Sequence, residues 1–150
     1  MTWFLPEKDR TYTSKAKYLD ELATLYGGRV AEEIFFGSNY ITTGASSDIE
    51  RATEIARAMV MRFGFDADLG AENYAPDSIE GNYLGAEAQQ KAISDETRKL
   101  IDDKVRVILQ TAYALANKII KTNQALHEKI AKELLVREEM IQDEFDAFFE

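Results

Sequence analysis

The sequence predicts a mainly α fold, an irregular helical bundle preceded by a short extended N-terminal segment. Three observations carry that expectation. Apolar residues recur at three- and four-residue spacing in successive stretches of the chain. Serines stand where helix N-caps belong, at Ser14, Ser47 and Ser94, and glycines stand where the periods break, at Gly27-Gly28, Gly37 and Gly64.

Taken in order, MTWFLPEKDR has an apolar, aromatic start followed by Pro6 and charges, which suggests an extended piece leading into a loop. From Ser14, residues Tyr18, Leu19, Leu22, Leu25 and Tyr26 keep helical spacing, and Gly27-Gly28 reads as a break or a close-packing point. Val30, Ala31, Ile34 and Phe35 mark the apolar face of a second helix stopped by Gly37. Residues 38–45 form a connecting turn. Ser47 and Glu50 then match the S-x-x-E capping box, which puts Asp48 at the first helical position. Ile49, Ala52, Ile55, Ala56, Met59, Val60 and Phe63 form a buried stripe up to Gly64, with Glu50, Arg51, Glu54 and Arg57 turned outward.

Residues 64–93 hold no sustained period and read as a long internal connection, an uncommon feature inside one domain and often a functional one. SDET at Ser94 opens a long amphipathic helix carrying Ile101, Val105, Ile108, Leu109, Ala112, Leu115, Ala116, Ile119 and Ile120, which ends near Thr122-Asn123. A further helix carries Leu126, Ile130, Ala131, Leu134 and Leu135, and an acidic tail closes on FDAFFE. The whole of 1–150 reads as one domain, or one large part of a domain.

Composition narrows the function. With 18 basic against 27 acidic residues the formal net charge is −9, and the basic residues do not cluster, so a nucleic acid partner is not expected. There is no cysteine, which removes disulfides, thiolate nucleophiles and cysteine metal sites. No apolar run approaches the ~20 residues of a spanning helix, so no direct membrane contact is expected of this chain.

Few catalytic patterns survive inspection. The single histidine, His127, begins His127-Glu128 like the zinc-protease pattern H-E-x-x-H, but Ala131 stands where the second imidazole is needed. No phosphate-binding glycine loop is present. Glu32-Glu33, Asp102-Asp103 and Glu138-Glu139 are adjacent acids on helices, which point apart and read as solvated faces. Asp48 has two readings. It is a first-turn acid favoured by the helix dipole by ~0.3–1 kcal/mol, or it is one rigidly held carboxylate ligand of a metal gripped elsewhere by two histidines.

Three stretches together resemble the protease region of the FtsH-type ATP-dependent zinc metalloproteases of the AAA family: SKAKYLDELATLYGGRVAEEIFFG, TTGASSDIERATEIARAMVMRFGF and SDETRKLIDDKVRVILQTAYALANKII. TWFLPEKDR also resembles the segment just downstream of that family's zinc-binding helix. The likeness spans nearly the whole chain, is weakest over residues 70–93 and the tail, and is most specific where GGRVAEE is followed by TGASSDIERAT.

The resemblance implies a mostly helical protease domain whose zinc is held by two histidines of an H-E-x-x-H helix and by the aspartate of the TGASSD-like motif, which is Asp48 here. No H-E-x-x-H occurs in this sequence. No catalytic residue is therefore expected in this chain, and the chain is expected to be metal-free and inactive alone. In the complete protein the resemblance implies zinc, ATP bound by a separate module, protein substrates, a homo-hexamer and a membrane anchor, with this domain on the cytoplasmic or organelle matrix or stroma side. The alternative, from another class, is a non-catalytic acidic helical interaction or adaptor module.

Overall fold

A computed structural model describes residues 12–75 and 93–149. The expected extended segment at the N-terminus, and residues 76–92 of the 64–93 connection, lie outside the described residues. Those described form helices α1 (Lys15–Leu25), α2 (Gly27–Phe36), α3 (Ser46–Met61), α4 (Asp95–Thr122), α5 (Gln124–Arg137) and α6 (Gln142–Asp146), with short 3-10 turns at Ser38–Tyr40 and Thr43–Ala45 between α2 and α3. No strand occurs among them, so the mainly α expectation holds.

Local signals account for most helix ends. The Ser14 hydroxyl accepts the Lys17 N–H at 3.2 Å, and Ser94 accepts the Thr97 N–H at 3.1 Å, each satisfying one of the amides a helix start leaves free. Gly37 ends α2 at φ 86°. Beyond α3, Gly64 adopts φ 61°, a left-handed conformation that favours glycine; a Cβ there would lie 3.0 Å from the Ala71 Cα. Gly27 and Gly28 are a break only, because a Cβ on either meets nothing within 4 Å. The close-packing expectation is thus corrected.

The long α4 is the spine against which α1, α2 and α3 pack. One core cluster joins Leu22 of α1, Tyr26 between α1 and α2, Val30 of α2, Ala52, Ile55 and Met59 of α3, and Ala112 and Ala116 of α4. A second joins Ala56 and Val60 of α3 to Leu69, Ile101 and Val105. Alanines on both α3 and α4 leave room for their backbones to approach, while Leu22, Val30 and Met59 fill the space between layers.

The predicted stripes run too wide at their ends. Ile49 and Phe63 of the α3 stripe are exposed, as are Leu115 and Ile119 on α4, since α4 covers only the central turns of its neighbours. Phe63 instead stacks on Tyr18 at 5.4 Å and touches Phe65, whose carbonyl accepts from Lys15 Nζ at 2.7 Å. The α5 helix buries no residue fully. The acidic tail carries α6, which the sequence reading left as a tail; it is tied back by Arg137 to Glu144 at 2.5 Å, and Glu144 also accepts the Ile141 N–H.

Candidate metal centre

Asp48 is the third residue of α3, in its first turn, and is partly buried. The capping box at Ser47 and Glu50 does not form: α3 begins at Ser46, its N-cap is Ala45, and no side chain caps it. The physical reason lies upstream. The 3-10 turn Thr43–Ala45 runs straight into α3, so the capping role passes to Thr42, whose Oγ1 accepts the Gly44 N–H at 3.1 Å. Ser46 N–H in turn bonds the Thr43 carbonyl, which leaves Ser47 inside the helix rather than at its edge.

Two anchors hold this helix start. Ala45 is buried beneath the turn. On the other side, Glu32 of α2 reaches across: its Oε2 accepts the Thr42 N–H at 2.9 Å and its Oε1 accepts the Thr42 hydroxyl at 2.8 Å. The Thr42 amide, then the Thr42 hydroxyl, hold the Glu32 carboxyl below the ordinary glutamate value, with a smaller contribution from Arg29.

Glu32 and Glu33 are therefore not a solvated face. They do point apart, as adjacent helical residues must, but each finds a partner distant in sequence. Glu33 accepts the Tyr113 hydroxyl of α4, whose ring meets Tyr26 edge-on at 5.4 Å; burial first, then Glu33, raises the Tyr113 phenol. Asp102 likewise pairs with Arg57 at 3.4 Å, joining α4 to α3, and Asp103 with Arg106 at 3.2 Å.

Asp48 makes no hydrogen bond or ion pair with another described residue. No group of three His, Cys, Asp or Glu side chains that could hold a metal occurs among the described residues. His127 lies on α5, stacked on Phe35 of α2 at 4.7 Å, and Glu128 pairs with Lys132 at 4.0 Å. A catalytic zinc takes about three protein ligands and one water. Asp48 has the right donor type, a rigid backbone and the positive end of a helix behind it, which fits one ligand position and not a whole site.

The motif places Asp48 on the first turn of α3, where the structure has it, whereas the clasp between Glu32 and Thr42 is not expected from either stretch alone. The contact ties GGRVAEE to Thr42, the residue that immediately precedes TGASSD.

Comparison with known proteins bears on this arrangement. The model of peptidase family M41 matches residues 1–148. The chain is 44% identical over 148 residues to the ATP-dependent zinc metalloprotease FtsH of Streptococcus pneumoniae, covering 97% of this chain and 22% of that protein. It is 41% identical over 142 residues to the protein of the same name from Buchnera aphidicola, covering 94% and 23%. For that from Cupriavidus metallidurans the values are 40% over 135 residues, 90% and 20%. The chain thus spans about a fifth of the length of these curated relatives.

Proposed function

Because the chain belongs to peptidase family M41, we propose that it is the C-terminal portion of the proteolytic domain of an ATP-dependent zinc metalloendopeptidase, to which it contributes the zinc ligand Asp48. The observation that carries this reading is the match over residues 1–148 combined with a carboxylate on the first turn of α3 that no described residue engages.

When bound, zinc supplies a Lewis acid that activates water for attack on a peptide carbonyl. This chain's own part is to orient and to support. Asp48 offers an anionic oxygen from a backbone fixed by α3, and its charge offsets that of the cation. Helices α1, α2 and α4 form the wall behind α3. Two histidines and a catalytic glutamate come from an H-E-x-x-H helix outside this sequence, and ATP from a separate module. The complete protein acts on membrane and soluble proteins as a membrane-anchored homo-hexamer, with this domain on the cytoplasmic, matrix or stromal side. The 150 residues alone are inactive.

Casein cleavage with added zinc tests this in two proteins, the chain alone and the complete polypeptide that carries it. Cleavage by the complete polypeptide, its loss in D48A, and no cleavage by the chain alone are expected. Full activity in the complete D48A protein would remove Asp48 from the site. A complete polypeptide that neither binds zinc nor cleaves would favour the helical interaction module instead.

A further inference from the structure

We propose that Glu32 is a positioning residue for the Asp48 ligand, acting through Thr42 to fix where α3 begins. This rests on the reading of Asp48 as a zinc ligand and extends it to a residue that never touches the metal.

Asp48 can serve only if the first turn of α3 starts at one defined place, because each residue of slip rotates a helical side chain by roughly 100° about the axis. No side chain caps α3, so its start is not set by its own residues. It is set by the 3-10 turn Thr43–Ala45, which runs directly into it and whose own cap is Thr42. Thr42 is in turn held at two atoms by one carboxylate on a different helix, the N–H by Oε2 and the hydroxyl by Oε1. A two-point grip fixes orientation as well as distance. The hydroxyl is used twice: it donates to Glu32 and accepts from the Gly44 N–H.

The space around the grip is close. A Cβ on Gly44 would lie 3.1 Å from Thr42 Oγ1 and 3.8 Å from Glu32 Oε1, so the turn passes directly beneath the bonded pair. Glu32 is thereby linked to Asp48 through the continuous run Thr42, Gly44, Ala45 and the first turn of α3. Loss of the grip removes the only side-chain bonds among those described that tie this turn to α2, leaving the turn's own bonds and buried Ala45.

The test has two arms. In this 150-residue chain, amide hydrogen exchange is measured at Thr42, Gly44 and Ser46 in wild type, E32A, E32Q, T42V, T42S and D48A. E32A is expected to speed exchange at all three sites tenfold or more, and T42V at Gly44 and Ser46. T42S and, to a lesser degree, E32Q should restore protection, since each keeps a bonding atom in place. D48A should leave it unchanged. T42V removes only a hydroxyl and keeps the amide, so it stands in if E32A fails to fold. In the complete polypeptide, zinc affinity is measured by competition with a chelator. E32A is expected to weaken it roughly 10–100-fold, the size of effect seen when residues behind a ligand are lost, with recovery in T42S relative to T42V. Wild-type exchange in both E32A and T42V, or undiminished zinc affinity in E32A where D48A abolishes binding, overturns the positioning role alone. Undiminished affinity in D48A overturns the ligand reading and the positioning role with it, while the exchange arm still decides whether Glu32 orders the helix start.

Discussion

At the scale of single residues, the Glu32 carboxylate makes a pH prediction whose sign follows from its direction. Its folded value lies below the ordinary 4.5, so the stabilisation from Thr42 is present above that value and is lost as pH falls through the lower folded value. The Thr42 amide resonance is expected to stay at its bonded position when pH drops past 4.5 and to move only at more acidic pH. A free-glutamate titration curve at that amide would contradict the clamp. Gly64 makes a second prediction. Gly64→Ala must adopt φ 61° and crowd Ala71, so urea unfolding should show a loss of about 1–2 kcal/mol from backbone conformation alone. Residue roles were legible where the partner is close in sequence, as for Ser14 and Ser94. They were hidden where it is not: Glu32 finds Thr42 ten positions on, and Glu33 finds Tyr113 eighty positions on. The spacing of adjacent acids says which way they point and nothing about what waits there.

Helices as units were easier to read than their edges, because 3.6-residue periodicity averages over many positions while an end depends on one or two bonds. Residues Ser47 and Glu50 had the right spacing for a capping box, yet the turn before them supplied a competing start. Packing of α4 on α1 and α3 is expected to dominate stability. Leu22→Ala, at a fully buried position, should cost about 2–5 kcal/mol in urea unfolding. Ala112→Leu, where α4 meets its neighbours, should cost about 1–3 kcal/mol by overpacking. Leu135→Ala on α5 is the contrast: at 84% exposure it should stay within ~0.5 kcal/mol of wild type. Equal losses at Leu22 and Leu135 would mean that the α5 face is covered in solution. Lys104 of α4 holds the segment after α3 through Asp66 at 3.4 Å and through Asp68, while Asp66 also accepts the Leu69 N–H at 3.3 Å. Lys104→Ala is therefore expected to raise amide exchange at Leu69 and leave Ile55 unaffected.

For the molecule as a whole, α1 to α4 share the first core cluster, α3 and α4 also build the second, and α5 and α6 bury nothing fully. A chain ending at Asn123 is expected to unfold in one cooperative transition like the full chain, and loss of cooperativity in a thermal melt would show that α5 belongs to the core. The proposed ligand role of Asp48 has no signature in local physics, since one carboxylate cannot declare itself a ligand without its partners. The proposal rests instead on the resemblance of three stretches to a known family and on the family match over residues 1–148. The bond between Glu32 and Thr42 also bears on time. It closes a loop of ten residues, whereas the Arg57 to Asp102 pair spans forty-five, and short loops close within about 10–100 ns. During synthesis from the N-terminus, the residues from Glu32 through the start of α3 emerge before α4 exists to cover α1, α2 and α3. Pulse labelling during refolding is expected to show Thr42 and Gly44 protected ahead of Ile55, so that the start of α3 is shaped first and the core is poured around it.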